Sequence, residues 1–349
     1  MKTSDFYFDL PEELIAQFPP ENRGTSRLLV LKKNAGSGPA TAKAGEIIHT
    51  SVQNFPDFID ENTVVVFNNT KVRKARIFGV SDTGGETEFL LLEKLSDYKW
   101  KAISSKLKKQ KIGKVFSFPA NIKCTIIEKD EKEIIVEFNS NVDDAYLEKF
   151  GHVPLPPYIK RDDTASDNER YQTIYCEKEK TGSAAAPTAG LHFTEEILDN
   201  LKKKGVTIAF ITLHVGMGTF KPIHSDKVES HVMHEEIYEI SEETAEIINT
   251  AKSNGKKILA VGTTSLRTLE SAVCNDKVAA GEGKTSLYIY PGYKFKVVDY
   301  LFTNFHTPDS TLIVLVSAFA GVSEIKEAYQ EAIDKKYRFF SYGDAMLIL

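Results

Sequence analysis

The apolar pattern of this chain changes period partway along, and that change decides what it can fold into. Between Thr63 and Asn139, seven short runs stand about 8 to 14 residues apart with turn residues between them. They are Val64–Phe67, Ala75–Val80, Glu88–Leu92, Trp100–Ile103, Val115–Phe118, Cys124–Ile127 and Ile134–Phe138. This spacing predicts a compact antiparallel barrel. A helix is expected over Asp143–Phe150, ended by Gly151, after which Pro154, Pro156 and Pro157 halt regular structure.

From Thr194 onward the pattern becomes strand–helix alternation. Thr194 reads as an N-cap, Glu195 and Glu196 as the first turn, Lys202 to Lys204 as the last, and Gly205 as the stop. A strand over Val206–Leu213, a helix over Ser241–Asn254, a strand over Ile258–Val261 and a helix from near Ser265 follow. Later strands are expected at Leu287–Tyr290 and Leu312–Val316. A last helix carries Ile325, Ala328, Tyr329, Ala332 and Ile333 on one face. Upstream, a short helix over Pro11–Gln17 and a strand over Leu28–Leu31 precede a Gly- and Ala-rich loop, Asn34–Gly45. The fold class is therefore α/β. Residues 1–62 together with 151–349 form a parallel-sheet α/β domain, and 63–150 form an inserted antiparallel β-barrel domain.

Composition narrows the function classes. The longest apolar stretch, Leu312–Ala320, is about half the ~20 residues of a membrane helix, and acids stand where a signal peptide would place its apolar core. A cytoplasmic protein with no membrane partner is expected. Three scattered cysteines, Cys124, Cys176 and Cys274, fit neither a disulfide framework nor a metal knuckle. The net charge of −5 argues against nucleic-acid binding through the whole surface. Yet Lys99 to Lys114 holds seven lysines and no acid, and Lys71, Arg73, Lys74 and Arg76 crowd together upstream. Lysines beside the aromatic Trp100 on a barrel are one way to hold RNA; a solvated hairpin face is the plain alternative.

Three segments could carry chemistry. Val261-Gly262-Thr263-Thr264-Ser265-Leu266-Arg267 sits at a strand end and opens a helix, where backbone N–H groups, hydroxyls and a guanidinium can meet an anion or a ribose. The plain alternative is a helix cap with a structural Arg. The run from Gly182 to Phe193 packs tiny residues before His192; it suits a flat ligand lying against backbone, or else a linker. Thr212-Leu213-His214-Val215 leads into Gly216-Met217-Gly218-Thr219-Phe220-Lys221-Pro222, a second strand-end histidine that could equally be a satisfied core residue. His231, His234, Glu235 and Glu236 lack the order of a known metal motif, so no metal is expected.

Together these motifs resemble the S-adenosylmethionine:tRNA ribosyltransferase-isomerase family of queuosine biosynthesis. The resemblance runs from Asp9-Leu10-Pro11-Glu12-Glu13-Leu14-Ile15-Ala16-Gln17 and Ser26-Arg27-Leu28-Leu29 through Pro154-Leu155-Pro156-Pro157-Tyr158-Ile159 and Arg170-Tyr171-Gln172-Thr173. It continues in Ala185-Ala186-Pro187-Thr188-Ala189-Gly190-Leu191-His192-Phe193-Thr194, the 261–267 segment, Tyr290-Pro291-Gly292-Tyr293, Thr303-Asn304-Phe305-His306 and Ser341-Tyr342-Gly343-Asp344-Ala345-Met346. Asn69 stands where the family has Asp, Lys74 where Pro is frequent, and Ala184 and Thr307 replace larger apolar residues.

The resemblance implies transfer and isomerisation of the ribosyl part of S-adenosylmethionine onto 7-aminomethyl-7-deazaguanine. That base lies at the wobble position of a tRNA with a GUN anticodon, and epoxyqueuosine, adenine and methionine are the products. S-adenosylmethionine is then a consumed co-substrate, with no further cofactor, and the protein is expected to be a monomer. The chemistry needs a base for the carbon next to the sulfonium and a donor for departing adenine. The resemblance implies His192 and His214 as that pair, with His306 in reserve. It implies Arg267 on the methionine carboxylate, and Thr188, Gly216, Thr263, Thr264 and Ser265 around ribose or carboxylate. Tyr158, Tyr171 and Phe193 are expected to stack on a base or face the sulfonium. Arg73, Lys74, Lys106, Lys108 and Lys109 are expected on tRNA phosphates. Competing readings are an S-adenosylmethionine-dependent RNA methyltransferase, which lacks its Gly-x-Gly loop here, and a non-catalytic tRNA-binding protein.

Overall fold

The computed structural model describes residues 1–33, 45–216, 223 and 225–349. The Asn34–Gly45 loop (save Gly45) and the Met217 to Pro222 segment lie outside the described residues.

A nine-stranded mixed sheet organises the larger part. Its strand order is Gly281–Thr285, Glu236–Ile240, Thr207–Leu213, Thr63–Asn68, Lys257–Val261, Tyr300–Asn304, Ala345–Ile348, Arg27–Lys32, Glu46–Ser51. The four central strands, from Thr207–Leu213 to Tyr300–Asn304, run parallel, and antiparallel neighbours extend the sheet on both sides. Both faces are covered, so the strands read as continuous apolar runs. In Thr63–Asn68, Val64 and Val66 point into one core with Ile211, Ile258 and Leu301. Val65 and Phe67 point into the other with Leu259, Phe302 and Phe193.

The run Val64–Phe67, expected as the first barrel strand, is thus the middle of the parallel sheet. A fully buried parallel strand and a barrel strand look alike over four residues, and only the non-local pairing with Thr207–Leu213 and Lys257–Val261 separates them. The closed barrel has six antiparallel strands, Arg76–Ser81, Glu86–Lys94, Lys99–Ser104, Val115–Ser117, Lys123–Lys129 and Ile134–Phe138. Trp100, Phe89, Phe116 and Phe138 fill its interior. Trp100 therefore offers no stacking face to RNA: it is fully buried, and its indole N–H donates to the Val142 carbonyl.

The expected helix caps are present. Asp143, Thr194 and Ser241 each accept a backbone N–H from the first turn of their helices, Asp144–Phe150, Glu195–Lys203 and Glu242–Ser253. Two expected strands are absent. Leu312–Val316 lies inside the helix Thr311–Ala320, capped by Ser310, whose side chain accepts from Ile313 N. Eight of its ten residues are buried, so it has no polar face to display a helical period. Leu287–Tyr290 is irregular, and the edge strand forms just upstream at Gly281–Thr285. The expected helix at Pro11–Gln17 contracts to a single 3₁₀ turn, Glu12–Leu14, because Ile15 bridges to Phe339. No helix among the described residues is long and apolar enough to cross a membrane.

Candidate active site

At the carboxyl ends of Lys257–Val261 and Tyr300–Asn304 the chain leaves two adjoining clefts, which share Thr188, Asn304, His306 and Leu312. One is lined by Ala186 to Ala189, Gly262, Thr263, Thr264 and Thr303. The other adds Tyr158, Phe340 and Ser341. Ligands of open α/β sheets sit at this position beyond the strand ends.

Helix Gly262–Ser271 points its N-terminus at the first cleft. Gly262 has φ of 89°, a turn that an L side chain resists, and Val261 supplies no side-chain cap. The first-turn amides are thus left without the oxygen that capped Glu195–Lys203 and Glu242–Ser253. Thr263 and Thr264 line the cleft, whereas the Ser265 hydroxyl turns back to donate to the Val261 carbonyl. Arg267 does not reach the cleft. It is buried against the Glu236 carboxylate, and its Nε donates to the Leu287 carbonyl. Glu236 also accepts the N–H of Gly216 at 3.1 Å, so the 216 turn serves that ion pair.

The three histidines are separated. His306 lines both clefts; its Nε2 meets the Thr303 hydroxyl at 2.9 Å, and burial pushes its pKa down to about 3. His192 lies behind Asn304, whose Nδ2 approaches its Nε2 at 2.9 Å. It opens instead toward Arg23, Arg170 and Tyr342, and burial, with Arg338 and Arg23, lowers its pKa to about 3. His214 is half-buried with Nδ1 2.9 Å from the Thr70 hydroxyl; burial first, then Arg73 and Lys180, push its pKa down.

Of the aromatic side chains expected against a ligand, only Tyr158 borders a cleft, with its hydroxyl 2.5 Å from Ser341 Oγ. Phe193 is sealed in the core edge-on to Phe55, Phe67 and Phe302. Tyr171 is buried beside Val72, Val153, Ile159 and Tyr342. The tiny-residue run does two jobs. Ala186 to Ala189 line the cleft, but Gly182 and Gly190 are small because the His214 ring and the Tyr175 hydroxyl lie where a Cβ would stand, 2.9 Å and 2.1 Å away.

The basic groups also divide. Lys106, Lys108 and Lys109 are exposed at a barrel turn. Arg73 pairs with Asp144 at 2.6 Å, and Lys74 with Glu148 at 3.1 Å, so helix Asp144–Phe150 already neutralises them. Asn69 is structural: it donates to Glu177 at 2.9 Å and accepts from Thr212 at 2.7 Å, leaving no acid function in its place. Sequence reasoning gave no role to Asn304, Phe340, Ser341 or Leu312. Asn304 and Ser341 stand in motifs of the family resemblance, which was the available signal; Phe340 and Leu312 had none.

The structure is that of an α/β protein with clefts at the ends of parallel strands and a six-stranded barrel set into its chain. The family model described as queuosine biosynthesis protein matches residues 3–348, and the chain belongs to that family. It is 49% identical over its whole length, and the relative's, to the S-adenosylmethionine:tRNA ribosyltransferase-isomerase of Treponema denticola. It is 48% identical, again with full coverage of both chains, to the protein so named from Clostridioides difficile. Among solved structures, an S-adenosylmethionine tRNA ribosyltransferase from Thermotoga maritima is 34% identical, with a TM-score of 0.56, covering 99% of this chain and 100% of its own.

Proposed function

We propose that this protein is an S-adenosylmethionine:tRNA ribosyltransferase-isomerase. It transfers the ribosyl group of S-adenosylmethionine to 7-aminomethyl-7-deazaguanine at the wobble position of a tRNA with a GUN anticodon. Epoxyqueuosine forms, and adenine and methionine leave; S-adenosylmethionine is consumed and no further cofactor takes part. The observation that carries this reading is full-length identity near one half to relatives named for that reaction.

The clefts give the reading its chemistry. His306 is the acid/base group, because of the three histidines it alone lines both clefts. His192 is unsuited, since its Nε2 lone pair faces the Asn304 amide. His214 belongs to the Thr70 contact near the barrel junction. Tyr158 and Thr188 border the space for the ribose and base, and Lys106, Lys108 and Lys109 contact tRNA phosphates.

The test is to incubate the protein with S-adenosylmethionine and tRNA carrying 7-aminomethyl-7-deazaguanine and to analyse nucleosides and small molecules by mass spectrometry. Epoxyqueuosine with adenine and methionine is the expected result. S-adenosylhomocysteine would instead indicate methyl transfer, and tRNA binding with intact S-adenosylmethionine would refute catalysis.

A further inference from the structure

Asn304 is almost wholly buried, and its amide orientation is fixed from behind. Nδ2 donates to the Phe340 carbonyl at 3.1 Å, an atom that can only accept, and also reaches His192 Nε2 at 2.9 Å. Both amide hydrogens are used. Among the described residues Oδ1 is left buried with no partner, on a residue that lines both clefts. Across the first cleft a second buried atom, Thr264 Oγ1, also has no partner. Buried polar atoms are nearly always satisfied, and among the described residues these two unpartnered oxygens belong to side chains that line one cleft, so they mark groups a ligand can complete. An amide oxygen only accepts, and the ligand must therefore bring an N–H or O–H donor to it.

The same cleft receives the uncapped first turn of helix Gly262–Ser271, whose amides and dipole favour a negative group. A donor-seeking oxygen beside an anion-seeking helix end complements a zwitterion. We propose that this cleft seats the α-amino-acid end of S-adenosylmethionine, with the carboxylate on the Gly262–Thr264 turn and the ammonium on Asn304 Oδ1 and Thr264 Oγ1. This rests on the reaction assigned above. It transfers the carboxylate from Arg267, whose charge Glu236 already meets, to the helix terminus.

The test measures equilibrium binding of S-adenosylmethionine and of its desamino analogue, which keeps carboxylate, sulfonium and adenosine. Wild type is expected to prefer S-adenosylmethionine by about 10- to 100-fold, the range of one or two hydrogen bonds to a charged group. Asn304→Ala and Thr264→Val should each erode that preference while leaving affinity for the analogue within about 2-fold. Thr264→Val preserves shape and keeps the experiment decisive should Asn304→Ala fail to fold. Undiminished preference in a folded Thr264→Val together with Asn304→Ala overturns the proposal, as does equal weakening of both ligands. If either result accompanies normal epoxyqueuosine formation, the ribosyl-transfer reading survives. If wild type binds neither ligand and forms no epoxyqueuosine, both fall.

Discussion

The two buried histidines make a quantitative claim about acid. His192 and His306 have pKa values pushed down to about 3 in the folded protein, whereas an unfolded histidine titrates near 6.5. Because the folded pKa is the lower one, the unfolded chain binds more protons between about pH 3 and 6.5, and stability falls as pH falls through that window. Each site contributes RT ln(1 + 10^(6.5 − pH)) to the unfolded state and almost nothing to the folded one above pH 4. From pH 7.5 to 5.0 that is about 2 kcal/mol per histidine, and about 4 kcal/mol for the pair. Asp344, raised chiefly by burial, opposes this trend at the acid end. Urea unfolding at pH 7.5, 6.5 and 5.0 on wild type and His306→Gln isolates one site. The variant should lose about 2 kcal/mol less than wild type across the range, whatever its absolute stability. Equal pH dependence in the two proteins would mean that His306 is solvated or charged, and would remove the argument for a neutral imidazole in the cleft.

Neutralising Lys106, Lys108 and Lys109 to Ala should reduce the slope of log K against log salt for tRNA binding by about 2 to 3. Removing Arg73 and Lys74, already paired to helix acids, should change it less; a titration at several salt concentrations compares them. Glu236→Gln strands the buried Arg267 charge and should cost about 3–5 kcal/mol, read as a lower thermal midpoint. A variant of normal stability but weakened S-adenosylmethionine binding would return Arg267 to the substrate. Gly262→Ala puts a Cβ on a backbone with φ of 89° and should lose about 1–3 kcal/mol in chemical denaturation; an unchanged midpoint would show the turn relaxes freely.

Local signals carried the helix ends. Thr194 and Ser241 cap, and Gly205 and Gly255 stop at φ of 77° and 72°, because each device operates within a few residues of the chain. Where the outcome depends on what lies across the fold, the same residues read differently. Val64–Phe67 is an apolar run in either a barrel or a parallel sheet, and its place is set by pairing with strands more than a hundred residues away. Phe193 and Tyr171 carry the ring chemistry of ligand-stacking residues but are enclosed by other core side chains.

The site followed the same division. Small residues at a strand end fit the 261–264 turn for the rim of the cleft it lines, since close backbone approach is a property of the residues themselves. Arg267 looked equally fit for a carboxylate, and it has one: Glu236, from a neighbouring strand 31 residues earlier. The orphaned oxygen of Asn304 is the reverse case. Any Asn offers a donor pair and an acceptor, and only Phe340 and His192, meeting it from elsewhere in the chain, consume the donors and turn the acceptor toward the cleft. Charge and hydroxyl groups in a motif therefore indicate which chemistry is possible near a strand end. Which atom remains available for substrate is decided by the partners that the fold has already assigned to its neighbours.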